Sequence, residues 1–185
     1  MTPNKAAQNM TEQAETNFVH AAINSKTKVL EYGSGGSTFA LSQLAESVVS
    51  VEHQKAWYNE IKRVLPKNVE LILCEPDLDY IEGPHKNQRS EGNDGTYEEF
   101  ETYIKAPISK APYDIVIIDG RARVECAKLF DELCHKDSYI FVHDFERKEY
   151  QPIMDILEFV GSVGRMFKFK IKKSLKQTVS GFFIL

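Results

Sequence analysis

A chain of 185 residues with 42% apolar content is long enough to build one domain, residues 1–185, around a substantial core. Its formal charge of −4 argues against a general nucleic-acid binder, which needs a basic surface. No run approaches the roughly 18 apolar residues of a membrane span, and Met1-Thr2-Pro3-Asn4-Lys5 lacks the apolar core of a signal peptide, so a cytoplasmic protein that does not engage membranes is expected.

In chain order, Ala14, Phe18, Ala21 and Ala22 predict a leading helix within residues 11–23. Residues 28–31 read as a first strand, 37–44 as its helix and 48–52 as a second strand. Trp57, Ile61, Val64 and Leu65 mark another helix, stopped before Pro66. Residues 69–73 and 113–118 give strands three and four. Val124, Ala127, Leu129, Phe130 and Leu133 give the following helix, with Cys126 and Cys134 near one of its faces. These two and Cys74 form no C-x-x-C pair and fit free thiols packed in a core. Residues 138–142 make strand five, and Ile153, Ile156, Leu157 and Val160 the next helix. Residues 165–171 and 178–184, joined by a polar link, read as an antiparallel hairpin. Its Lys168, Lys170, Lys172, Lys173 and Lys176 are expected on a solvated face. Such alternation of strand and helix points to a mostly parallel sheet with helices on both faces.

Residues 75–112 are too long for an ordinary crossover. Their centre, 83–95, has almost no apolar residues and is predicted mobile, and Tyr97, Phe100, Tyr103 and Ile104 follow at helical spacing. Two readings stand: a surface decoration with a docked helix, or a lid over a ligand crevice.

Chemistry gathers at the strand ends. After strand one comes Glu31-Tyr32-Gly33-Ser34-Gly35-Gly36-Ser37-Thr38, and after strand two Glu52-His53. Glycines let a backbone turn tightly beside a ligand, and an acid about 20 residues on suits ribose hydroxyls. An NAD(P)-type oxidoreductase wants a third glycine where Thr38 stands, and Glu31 would repel a pyrophosphate while suiting an ammonium or sulfonium group. Glu31, Gly33 and Gly35, with Ser37 for a third glycine, resemble the first motif of the class I S-adenosylmethionine-dependent methyltransferases. Five strand–helix units and a terminal hairpin extend that resemblance over nearly the whole chain. The tract 118–127 with Phe141-Val142-His143-Asp144-Phe145 resembles an uncharacterised bacterial methyltransferase-like group.

That resemblance implies a Rossmann-like fold, seven strands with a C-terminal antiparallel hairpin, and S-adenosylmethionine as cofactor. Its amino-acid end would face Gly33, Ser34, Gly35, Ser37 and Thr38. Glu52 and His53 would lie at the ribose, Glu75 near the adenine, and Asp119 at the same crevice. Methyl transfer needs alignment and management of one acceptor proton, and His143 is the candidate base, with Asp144 or Asp119 to orient it. Similarity to metal-dependent O-methyltransferases implies Mg²⁺ or Mn²⁺ on Asp119, His143 and Asp144. Arg121 and Arg123 are candidate clamps for an acidic group on the acceptor, or loop-stabilising partners of Asp119 or Asp144. No N-P-P-Y-like tetrapeptide follows strand four, which favours O-methylation of a small-molecule acceptor; a monomer or homodimer is expected. The alternatives are the oxidoreductase and a non-catalytic nucleoside-binding module.

Overall fold

The computed structural model describes residues 12–78 and 94–172. They run α1 (Gln13–His20), β1 (Lys28–Tyr32), α2 (Gly36–Ser42), β2 (Ser47–Glu52), α3 (Lys55–Ile61), β3 (Val69–Leu73), α4 (Tyr97–Lys105), β4 (Tyr113–Ile118), α5 (Arg123–Lys128), α6 (Phe130–Leu133), β5 (Cys134–His143), α7 (Ile153–Ile156), β6 (Leu157–Val163) and β7 (Met166–Ile171). The seven strands form one sheet in the order β3-β2-β1-β4-β5-β7-β6. The first five are mutually parallel, and β7 lies antiparallel between β5 and β6.

Side chains alternate across the sheet because successive residues of a strand point to opposite faces. Val29, Val48, Ile115, Ile117 and Phe141 pack under α1 and α2 with Val19 and Leu41. Leu30, Tyr32, Val49, Val51, Val116, Ile118, Ile140 and Val142 pack on the other side with Phe100, Tyr103, Cys126 and Ile153. Helices thus cover both faces, as expected of strands that read as near-continuous apolar runs. Among the described residues no helix is long and apolar enough to cross a membrane.

The terminal hairpin is built from different residues than the spacing predicts. Leu157–Val163 is strand β6, not the second half of a helix, and α7 ends at Ile156. As the edge strand, β6 leaves Phe159 and Val160 about half exposed, and its register shifts between Phe159 and Gly161. The expected strand over 178–184 lies outside the described residues, as do Lys173 and Lys176. Cys134 opens β5 and shares no helix face with Cys126. The described lysines of the hairpin are engaged at home. Lys168 lies over the Tyr139 ring, Lys170 pairs with Glu158, and Lys172 donates to the carbonyls of Met154 and Asp155.

Of the long segment after β3, the centre at 83–93 lies outside the described residues, and the helix is docked. Phe100, Tyr103 and Ile104 are fully buried, each contributing about 1.5–3 kcal/mol by leaving water. Thr96 and Glu99 form a reciprocal capping box, and Asp77 accepts from the Thr102 backbone at 2.8 Å and from its hydroxyl.

Candidate functional site

The strand order reverses at β1 and β4, and in such sheets the ligand crevice opens at the carboxyl ends of those strands. There Gly33 and Gly120 stack backbone on backbone. Gly33 has φ +96°, and a Cβ on it would lie 2.8 Å from Gly120 Cα. The turn is pinned from three sides. Gly33 N donates to Val51 O at 2.9 Å, Asp119 N to Tyr32 O at 3.0 Å, and Trp57 Nε1 on α3 to Ser34 O at 2.8 Å.

Glu31 does not face a ligand. Its carboxyl is buried beneath the turn and accepts from Ser37 Oγ at 2.5 Å, Thr38 Oγ1 at 2.5 Å and Ser50 Oγ at 2.8 Å. The residues that break both glycine motifs are therefore the donors of a buried acid. Thr38 also accepts from Gly35 N at 2.9 Å, so one hydroxyl fastens the turn to β1. Burial pushes Glu31 up to about 7, the three hydroxyls only partly opposing it. A carboxyl raised in the folded state lends stability below its unfolded value near 4.5, and that contribution is lost as pH rises through about 7. Glu31→Gln should therefore flatten this dependence, gaining on the order of 3 kcal/mol over the parent at pH 8 and nothing at pH 4. Thermal melts across that range check it.

Glu52, at the end of β2, is also internally engaged. Oε2 accepts from Ser34 N at 3.1 Å and Ser34 Oγ at 2.6 Å; Oε1 accepts from His53 N at 2.9 Å and Gln54 N at 2.7 Å. Burial works to raise its pKa, but the adjacent His53 ring, Ser34 and Gln54 outweigh it and hold the carboxyl below its usual value. Beside it His53 Nδ1 lies 3.2 Å from Glu52 Oε1, buried His53 Nε2 has no hydrogen-bond partner among the described residues, and Tyr103 Oη lies near the Arg121 backbone. His53 packs edge-on against Phe100 and Tyr103. An unpartnered imidazole nitrogen beside a hydrogen-bonded acid and a glycine turn fits a polar nucleoside-type ligand. Glu75 is exposed and reaches Lys55 at 3.4 Å.

At the ends of β4 and β5 the structure gathers a charged network. His143 Nδ1 lies 3.0 Å from Asp119 Oδ1 and 3.5 Å from Asp144 Oδ1. Asp144, at φ +59°, is tied to three guanidinium groups: Arg147 at 2.7 Å, Arg123 at 3.7 Å, and Arg165. The expected metal set fails on this geometry. Asp144 is committed to the arginines, and among the described residues no three His, Cys, Asp or Glu are grouped to hold a metal ion.

Arg123 is likewise no acceptor clamp. It is buried, stacks on Tyr150 with 5.1 Å to the ring centre, and donates to the carbonyls of Gly120, at 3.2 Å, and His143. Its guanidinium lies 3.4 Å from Asp119 and 3.8 Å from Asp94. Asp94 accepts from Arg123 N at 2.5 Å and Tyr150 Oη at 3.1 Å, and burial still holds it above the ordinary carboxyl range. Arg121 is half-buried beside this network.

One member was not anticipated. Glu15 of α1 is fully buried, with Oε2 3.4 Å from His143 Nε2. Its signal was its place in the series Glu15, Phe18, Val19 and Ala22, which puts an acid on the helix's inward face.

No family model matches the chain, and no curated protein matches it. Solved structures do. A methyltransferase-like protein from Silicibacter pomeroyi superposes with a TM-score of 0.65 at 22% identity, over 89% of this chain and 88% of that one. The precorrin-6y C5,15-methyltransferase of Geobacter metallireducens gives a TM-score of 0.58 at 13% identity, over 89% and 90% of the two chains. This chain has the class I methyltransferase fold. A TehB-like S-adenosylmethionine-dependent methyltransferase from Corynebacterium glutamicum shares that methyltransferase fold, with a TM-score of 0.55 at 14% identity over 91% and 93%. At such identities the likeness reaches the fold and stops short of the acceptor.

Proposed function

We propose that the protein is an S-adenosylmethionine-dependent methyltransferase that O-methylates a small-molecule acceptor. The observation that carries this reading is the convergence of the glycine turn, Glu52 and the Asp119–His143 pair at one crevice of a methyltransferase fold. S-adenosylmethionine brings a methyl group already activated by a sulfonium, so the chain's work is positioning and proton handling. Gly33, Ser34 and Gly35 offer backbone to the amino-acid end, with Ser37 and Thr38 holding that turn's shape. Glu52 and His53 accept the ribose side, with Ser34 Oγ yielding its place on Glu52 Oε2. Asp119, about one-third exposed, is the carboxylate open to the crevice and, with His143 behind it, takes the acceptor proton. Arg121, half-buried after β4, is the remaining candidate for an acidic substituent on the acceptor. Ile118-Asp119-Gly120-Arg121, in place of an N-P-P-Y-like tetrapeptide, favours a hydroxyl acceptor.

Calorimetric titration with S-adenosylmethionine, S-adenosylhomocysteine and NAD⁺ tests the reading. The two adenosyl compounds should bind and NAD⁺ should not. Glu52→Ala should weaken them roughly 10- to 100-fold, the worth of hydrogen bonds to a charged group. Absence of adenosyl binding at millimolar concentration sinks the proposal.

A further inference from the structure

The two nitrogens of His143 face carboxylates on opposite sides. Nδ1 meets Asp119, which is partly open, and Nε2 meets Glu15, which is sealed between α1 and the hairpin. Glu15 is held independently of the ring. Oε1 accepts from Arg165 N at 2.5 Å and Oε2 from Glu12 N at 3.1 Å. The hairpin turn is shaped around it, because Gly164 has φ +56° and a Cβ there would lie 2.4 Å from Glu15 Oε1. A neutral imidazole donates from one nitrogen only. Nδ1 is within hydrogen-bond distance of Asp119 Oδ1 at 3.0 Å, and the fixed Glu15 carboxylate 3.4 Å from Nε2 favours a proton on that nitrogen, leaving Nδ1 to share one with Asp119. Asp144 Oδ1 also lies 3.5 Å from Nδ1 but is held by Arg123, Arg147 and Arg165, and Arg123 donates to the His143 carbonyl rather than to its ring.

We propose that Glu15 is a positioning residue for this site: it fixes His143 through Nε2, so that the Asp119–His143 pair holds one exchangeable proton at the crevice. Its place in catalysis rests on the methyltransferase reading above. In that reaction the acceptor O–H bond breaks toward Asp119, the oxygen's electron pair forms the new O–CH₃ bond, and the C–S pair returns to sulfur. The histidine stays in place throughout. The acceptor class this suits is a hydroxyl compound with a proton to surrender.

Ring-nitrogen NMR of the full chain tests the inference without any acceptor. His143, assigned by the loss of its signals in His143→Gln, should show an Nε2–H protected from solvent exchange. Glu15→Gln should remove that protection and shift the Asp119 carboxyl carbon signal, while S-adenosylmethionine binding is retained. A purely structural brace would lower the melting temperature of Glu15→Gln and leave both signals in place, which overturns the proposal. If Glu15→Gln does not fold, the parent spectrum decides alone: an Nε2–H that exchanges as in a free imidazole overturns it, and a protected one upholds it. Failure of S-adenosylmethionine to bind the parent would remove the methyltransferase reading without touching the Glu15–His143 result.

Discussion

Arg123→Met should cost about 3–5 kcal/mol, because removing one partner of a buried ion network leaves the others uncompensated. Three carboxylates surround that guanidinium. Asp144 keeps Arg147 and Arg165, and Asp119 is partly open to water. Asp94 has the least recourse: its side chain is 12% exposed, and its remaining partners are the Tyr150 hydroxyl and the backbone N–H of residue 123. Methionine fills the stem's volume, so the loss isolates charge and hydrogen bonding from packing. For a chain of this size the melting temperature should fall by roughly 10 °C. Arg123→Lys should recover only part, since an ammonium cannot span the Gly120 and His143 carbonyls with a planar fork. If Arg123 were instead a clamp for the acceptor, Arg123→Met would melt with the parent. Denaturant unfolding of the three proteins decides between them.

How far the sequence disclosed this molecule depended on whether a residue's environment is local. Strands β1, β2 and β4 lie where their apolar runs predict, within one residue, because a central parallel strand is buried on both faces and its composition reports that directly; the edge strand β3 was placed as well, by the apolar run Leu71-Ile72-Leu73. Strand β6 was read as helix. An edge strand has only one neighbour to satisfy, Phe159 and Val160 are left in solvent, and the irregular register at Gly161 breaks the alternation that would have revealed it. At the site, the meeting of the glycine turn and Glu52 was legible because their spacing along the chain is itself the signal. The role of Glu31 was not. Its three donors come from α2 and β2, and only the fold shows that Ser37, Thr38 and Ser50 converge on one carboxyl. For Arg123 the sequence offered two readings, a clamp or a partner of Asp119 or Asp144, and only the fold shows the second, with Asp144 drawn in as well. A charge network assembled from four separate loops and helices has no sequence period to betray it.

Gly33→Ala and Gly35→Ala form the sharpest pair of variants, because two neighbouring glycines of one motif should fail in different ways. At Gly33 the backbone sits at φ +96°, where a side chain is strained, and the added Cβ meets backbone atoms of Gly120 at 2.8 and 2.9 Å. Backbone cannot swing aside as a flexible side chain can. The carboxyl ends of β1 and β4 must part, taking Ser34 and Asp119 with them. Strain and overpacking together should cost about 3 kcal/mol or more, with ligand binding lost alongside stability. Gly35 is different. Its φ of −174° is ordinary extended backbone, and a Cβ there approaches nothing closer than Ser37 Oγ at 3.8 Å. Gly35→Ala should melt within about 0.5 kcal/mol of the parent. If the turn presents its backbone to a cofactor, that same methyl occupies the line of approach, and S-adenosylmethionine affinity should fall while the fold persists. Paired melting and calorimetry read both quantities. Unaltered binding by Gly35→Ala would mean that this glycine serves the turn alone, and that the cofactor meets the chain through Glu52 and its neighbours.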